Sequence, residues 1–230
     1  MHGALGDFLP PGRREVVFIV EFELPVGLRD LVQSVGVPHV EVEAVTVDGE
    51  PSAWTRVIDD GCRIDGEARY PLAAPPARVG FLLDAHLGRL AGYLRLLGLD
   101  ASDDPAADDP ELVERSVAEE RILLTRDKAL LRHGGLRDGT FVRAVDPVQQ
   151  ASEVVDRFAL RAILGPFTRC MACNTLLEAI SSSRAAPHVP ASVIQRHDRY
   201  MRCPGCNRVY WEGSHHRRLT ALVERIVGPA

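Results

Sequence analysis

The sequence predicts an α/β protein in which a small α+β segment precedes a parallel sheet covered by helices, and a cysteine-rich module follows it. Three observations carry this. Val79 to Leu83 is a continuous apolar run ending at Asp84, and apolar residues at helical spacing follow from His86 to Leu97. Apolar strands then alternate with helices to about Leu160, the pattern of a parallel sheet buried on both faces. Beyond them, Cys170-x-x-Cys173 and Cys203-x-x-Cys206 form two pairs whose spacing suits metal binding.

The chain has 230 residues, 46% of them hydrophobic and 26% charged, enough for two domains with real cores and too apolar for wholesale disorder. The first twenty residues lack a basic start with a long apolar run, and no window approaches a membrane span, so no membrane partner is expected and the cytoplasm is the expected compartment. Charge is uneven: the overall net of -5 conceals net -6 over residues 1 to 78 and net +5 over residues 168 to 230. A nucleic-acid partner is therefore sought at the C-terminal end.

In chain order, the β-branched and aromatic run Val16 to Phe22 predicts a strand and Leu28 to Ser34 a short helix. The alternating Val42 to Val47 enters a tight turn at Asp48-Gly49, and a further turn at Asp59-Asp60-Gly61 precedes a strand over Arg63 to Tyr70. Pro71 to Arg78 reads as a semi-rigid linker, with separable folding units expected on its two sides. After the helix stopped by Gly98 come an acidic turn, Asp100 to Asp109, and a helix from Pro110. Next are a strand over Arg121 to Thr125, a strand over Thr140 to Val145, and a helix opened by Asp146-Pro147.

On this topology Asp84, Asp127 and Asp146 each follow a strand, and the helix start Asp108-Asp109-Pro110-Glu111 brings further carboxylates to the same edge. Such a rim suits Mg2+ or Mn2+, which take oxygen ligands and can activate water against a phosphodiester. Each acid also has a purely structural reading: Asp109 as a helix N-cap, Asp127 as the cap of a short helix, Asp146 as a turn residue, and Asp84 as a solvated turn acid. Four thiolates from the two Cys-x-x-Cys pairs can close one tetrahedral Zn2+ site, which leaves no open position and makes that zinc architectural; a redox pair is the alternative. Tyr200, Tyr210 and Trp211 lie among Arg199, Arg202 and Arg208, with Arg217 and Arg218 beyond. Base stacking with phosphate neutralisation is one reading, and packing beneath a zinc knuckle is the other, preferred for Trp211.

The segments FLLDAHLGRLAGYLRLLGLD, DDPELVERSVAEERILLTRDKALL, RCMACNTLLE and RCPGCNRVYWEGSHHRRL occur in one order across residues 81 to 219. They resemble the Mut-seven C-terminal RNase family, which joins a PIN-like nuclease fold to a zinc ribbon. SVGVPHVEVEAVTVDGE, with the later Asp-Asp-Gly, resembles the ubiquitin-like β-grasp domain that often precedes that nuclease. The resemblance implies a ubiquitin-like domain over residues 1–74, a PIN-like three-layer domain over 75–165, and a zinc ribbon with a basic tail over 166–230. It implies a metal-dependent ribonuclease hydrolysing RNA phosphodiesters. Asp84 matches the first acid, Asp127 the acid of Thr-Arg-Asp, and Asp108, Asp109 or Glu111 the helix acid, with Asp146 as a fourth. Expected cofactors are a structural Zn2+ on Cys170, Cys173, Cys203 and Cys206, and a catalytic Mg2+ or Mn2+ on Asp84, Asp109 and Asp127. RNA is the expected partner, met by Arg202, Arg208, Arg217 and Arg218, and a protein partner of the β-grasp domain is left open. The alternative is a non-catalytic RNA- or ribosome-associated binding module. No free Gly-Gly terminus ends the β-grasp segment, so thiocarboxylate chemistry is not implied.

Overall fold

The computed structural model describes residues 1, 3–23 and 25–228. Contacts divide the chain into two compact units, one of residues 1–73 with 107–142 and one of residues 74–106 with 143–230. Among the described residues no helix is long and apolar enough to cross a membrane.

In the first unit, β1 (Val26–Gly27) leads into α1 (Leu28–Ser34), and β2 (Val42–Val47) turns into β3 (Glu50–Pro51). Asp48 and Gly49 both adopt positive φ, 55° and 84°, the conformation that a two-residue hairpin turn requires and that Asp-Gly supplies cheaply. β4 (Val57–Ile58) pairs with β1, and β5 (Ile64–Ala68) pairs antiparallel with β2, giving a sheet of order β3-β2-β5. Leu28, Leu31 and Val32 of α1 pack with Val45, Val47 and Ile58 in one core. The strand expected over Val16 to Phe22 does not form. Burial still alternates there, with Phe18, Val20 and Phe22 against the core and Val17 and Ile19 outside, but among the described residues no strand partner is hydrogen-bonded to it.

The same unit contains α3 (Asp109–Ala118), β8 (Ile122–Thr125) and β9 (Gly139–Phe141), the last shorter than the run Thr140 to Val145 that the sequence predicts. Asp108 is the N-cap of α3, its side chain accepting a hydrogen bond from Glu111 N at 3.0 Å. That corrects the capping role expected of Asp109, which instead occupies the first helical position before Pro110. Side chains of the ubiquitin-like segment bond directly to residues beyond the linker. Buried Glu41 accepts from Thr140 Oγ1 at 2.7 Å and Phe141 N at 2.6 Å, Arg69 donates to Asp138 at 3.0 Å, and Lys128 donates to Asp7 O at 2.8 Å. These bonds link the two sides of the linker, and each polar group named would lose its partner on separation.

His39 Nε2 lies 3.0 Å from Leu136 O, while its Nδ1 is buried without a hydrogen-bond partner. Burial pulls the His39 pKa below its usual 6.5, partly offset by the Leu136 carbonyl. A lowered folded pKa means that the unfolded chain binds the proton more readily, so stability is present above about pH 6.5 and falls on acidification below it. Melting temperature is expected to drop between about pH 7 and pH 5.5, and His39→Gln, which keeps a donor and cannot protonate, is expected to shrink that drop. An identical pH profile in the variant would remove His39 from the account.

In the second unit, β6 (Gly80–Leu83) is parallel to β7 (Asp100–Asp103), and α2 (Gly88–Leu96) connects them. Phe81, Leu82 and Leu83 are wholly buried, as expected of a parallel strand covered on both faces. Gly98 ends the α2 segment at φ 86°, and a Cβ there would lie 2.2 Å from Gly165 O, so both conformation and space demand glycine. The first part of the expected acidic turn is β7, parallel to β6, so Asp103 belongs to a strand rather than a loop. In the first unit, β8 and β9 are likewise parallel. α4 (Pro147–Arg157) follows, capped by Asp146, and Phe158 meets Phe81 edge-on at 5.2 Å.

The cysteine module is built on β10 (Glu178–Ile180), α5 (Ser182–Ala185), α6 (Ala191–Ile194), β11 (Tyr200–Arg202) and β12 (Val209–Trp211). The three strands form an antiparallel sheet, β10-β11-β12. Its apolar core is small: Ala185, Val189 and Tyr200, with Ile180, Val193, Ile194, Val209 and Trp211 around them. The tail is helix α7 (Ser214–Val227), which packs against α4.

Candidate metal centre and acidic strand ends

Each cysteine pair sits in a tight knuckle for the same local reason. Cys170 N donates to Thr175 O and Asn174 N to Cys170 O; Cys203 N donates to Arg208 O and Asn207 N to Cys203 O. Asn174 and Asn207, the residues after the second cysteine of each pair, take φ 68° and 61°, a left-handed turn that asparagine tolerates. The two knuckles meet closely enough that a Cβ on Gly205 would fall 2.5 Å from Thr175 Oγ1.

The four sulfur atoms lie within 4.8 Å of one another. Cys170 Sγ is 3.6 Å from Cys206 Sγ and Cys173 Sγ is 3.3 Å from Cys203 Sγ. A disulfide needs about 2.05 Å, whereas a tetrahedron with Zn–S near 2.3 Å has S–S edges of about 3.8 Å, so these separations fit a metal and not a cystine. The thiols also compete for protons. Thr175 draws Cys173 down to about 6, and hydrogen bonding from Tyr210 and the knuckle backbone overcomes burial to lower Cys170. Arg208 N pulls Cys206 down, but burial and the other sulfurs push it up to about 12. Such a spread is the response of thiols too close to ionise together, and a divalent cation removes the conflict by accepting all four as thiolates. Tyr210 Oη, 3.0 Å from Cys170 Sγ, is placed to donate to that thiolate.

The first knuckle is bolted to the free side of β7. Arg95, only 5% exposed, donates from Nε to Ala101 O at 2.7 Å, from Nη1 to Met171 O at 3.2 Å and Ala172 O at 3.4 Å, and pairs with Asp103. Asn174 accepts from Ala101 N at 3.2 Å and donates to Asp100 at 2.7 Å. An edge strand otherwise exposes these backbone groups, so the knuckle serves as its cover. Arg95 and Asn174 were not singled out from sequence. The repeated Asn after each Cys-x-x-Cys was a usable signal for the latter; Arg95 had none.

The acids are placed individually. Asp84, buried at 5% exposure, accepts from His86 N at 2.8 Å just after β6. Asp127, exposed after β8, accepts from Ala129 N at 2.6 Å through Oδ1, which closes the turn before the short helix Leu130–Arg132; the N-cap of that helix is Ala129, which corrects the capping role expected of Asp127. Asp146 is exposed and accepts from Val148 N and Gln149 N at 3.0 and 3.1 Å. Asp109 is exposed and its carboxylate makes no hydrogen bond among the described residues. Among those residues the four cysteines are the only group of three or more His, Cys, Asp or Glu whose ligand atoms gather closely enough to hold an ion.

Of the basic residues, Arg208, Arg217 and Arg218 are exposed, while Arg202 spends Nη2 on Asn207 Oδ1 at 2.7 Å and buries Nε without a partner. Arg202 therefore braces the second knuckle. Tyr200 is buried with its hydroxyl donating to His197 O at 2.6 Å, which withdraws it from base stacking, and Trp211 packs against the ribbon core.

Comparison with known families gives two matches: the Mut7-C RNAse domain over residues 79–223, and the Mut7-C ubiquitin domain over residues 1–75. No curated protein and no solved structure matches the chain.

Proposed function

The chain belongs to the family defined by the Mut7-C RNAse domain, and from that premise we propose that it is a metal-dependent ribonuclease acting on RNA phosphodiesters. The match over residues 79–223 is the observation that carries the reading. In this proposal Asp84, Asp109 and Asp127 hold Mg2+ or Mn2+, with Asp146 as a fourth acid. The ion's contribution is to activate water and to stabilise charge on the phosphate oxygens. The chain's own part is to hold its carboxylates at strand ends: Asp84 is fixed by His86 N, and Asp127 keeps Oδ2 without a hydrogen bond among the described residues. Zn2+ on the four cysteines is the structural cofactor, and Arg208, Arg217 and Arg218 meet RNA phosphates.

The test is cleavage of a mixed RNA pool with Mg2+ or Mn2+, together with melting temperature and RNA affinity. Asp84→Asn and Asp127→Asn are expected to lower the rate by at least about a hundredfold with melting temperature nearly kept, since asparagine preserves size but not the anionic ligand. The N-cap at Asp108 supplies a clean control. Asp108→Asn keeps a good cap and should keep activity, whereas Asp109→Asn should lose it if Asp109 is a ligand. Full activity in folded Asp84→Asn and Asp127→Asn would eliminate this site.

A second reading is favoured by one observation, the confinement of close-packed metal-ligand groups among the described residues to the four cysteines. On it the protein is a non-catalytic RNA- or ribosome-associated binding module. RNA binding without cleavage across both metals would select it.

A further inference from the structure

The ubiquitin-like segment carries a strand that lacks a sheet. No backbone hydrogen bond is made by residues Glu15 to Glu23 among the described residues, although their burial alternates with the period of a strand. Phe18, Val20 and Phe22 pack on the core, while Val17 and Ile19 are 84% and 86% exposed. Five consecutive apolar residues, Val16 to Val20, thus present open N–H and C=O groups with none of the prolines or lysines that usually blunt such an edge.

Beside the run lies a cavity of about 830 Å3, walled on one side by Val16 to Val20 and Phe22 and on another by Leu31, Val32 and Val35. Glu15, Asp59 and Asp60 also border it. The basic groups nearby are engaged, Arg13 over the Phe18 ring at 5.0 Å and Arg63 with Asp65 at 2.8 Å. Glu15, Glu21, Asp59 and Asp60 have no ion-pair partner among the described residues. The edge is therefore apolar in its middle, hydrogen-bond hungry along its backbone and acidic around its border.

We propose that Val16 to Phe22 is the docking edge for an extended segment of a partner protein in which apolar residues alternate with lysine or arginine. The segment adds as a strand, its backbone pairing with the open groups, its apolar side chains entering the cavity against α1, and its basic side chains facing Glu15, Glu21, Asp59 and Asp60. A second copy of this chain suits the edge less well. Antiparallel self-pairing centred on the apolar run sets Glu15 opposite Glu21, and like charges directly opposite destabilise a pair.

The experiment uses the full-length, zinc-loaded chain and synthetic peptides of about ten residues, long enough for one strand. One alternates valine with lysine, one alternates valine with glutamate, and one is the lysine peptide with a central proline. Binding is read by fluorescence anisotropy of labelled peptide and by amide NMR shifts, with sedimentation of the free protein alongside. The lysine peptide is expected to bind and to shift amide signals over residues 16 to 22, while the other two do not bind. The triple variant Glu15→Gln, Asp59→Asn, Asp60→Asn is expected to weaken binding about tenfold and flatten its salt dependence while melting at the wild-type temperature. Failure of the lysine peptide to bind, equal binding of the glutamate peptide, or shifts confined to other residues would overturn the proposal. A concentration-dependent dimer that excludes the peptide would overturn it in favour of a second copy.

Discussion

Cys203→Ser is expected to abolish tight zinc binding and, with it, the order of both the ribbon and the outer edge of the parallel sheet. Cys203 is fully buried beside Cys173, and the ribbon core around Tyr200 is too small to hold three short strands by apolar burial alone. In metal-closed modules of this kind ligand binding supplies about 10–16 kcal/mol of the folding free energy, so its loss outweighs what the remaining contacts can offset. The consequence should reach β7, because Ala101 N is covered by Asn174 and Ala101 O by Arg95, which is itself held by the knuckle carbonyls of Met171 and Ala172. Hydrogen exchange at the Ala101 amide is expected to accelerate on zinc removal.

Linkage requires the converse. Asn174→Ala removes two bonds that brace the knuckle, and at about 1 kcal/mol each it should weaken zinc binding by roughly tenfold or more in competition with a chelator. A purified chain containing no zinc, an unchanged Ala101 exchange rate after zinc removal, or wild-type zinc affinity in Asn174→Ala would each contradict this coupling.

Glu41→Ala is expected to cost about 3–5 kcal/mol and lower the melting temperature by about 10 °C, far more than a surface glutamate would. Its carboxylate is 1% exposed and takes hydrogen bonds from Thr140 and from the Phe141 amide of β9, so truncation leaves a hydroxyl and a backbone N–H buried without their acceptor. Glu41→Gln keeps one acceptor oxygen and should cost less than half as much. For the same reason, residues 79–230 expressed alone are expected to be poorly soluble and to recover when residues 1–75 are supplied. A soluble fragment with the wild-type β8 and β9 exchange pattern, or a Glu41→Ala protein melting at the wild-type temperature, would show that the bond is incidental.

Local chemistry explains which elements the sequence revealed. Leu28 to Ser34 forms the expected helix, and Asp48-Gly49 the expected turn, because helix periodicity and positive φ are settled within a few residues. Val16 to Phe22 has a strand's composition and a strand's alternation, but pairing requires a neighbour that composition cannot name. Asp108 and Asp109 are chemically equivalent as caps, and the one-residue choice between them depends on where the first helical turn closes.

The sequence by itself determined the family, the order of ubiquitin-like segment, parallel sheet and cysteine module, and the four thiols able to share one ion. Cysteine spacing and apolar runs are short-range properties, and they survive without knowledge of the rest of the fold. Only the tertiary structure decided that Arg95 and Asn174 join the knuckle to β7, that Arg202 hydrogen-bonds Asn207 of the second knuckle, that Tyr200 is buried and withdrawn from base stacking, and that Glu41 binds β9 about a hundred positions away. Those roles arise from buried polar groups finding partners distant in the chain, and which partner each one meets is set by how the elements pack and not by any residue's neighbours in sequence.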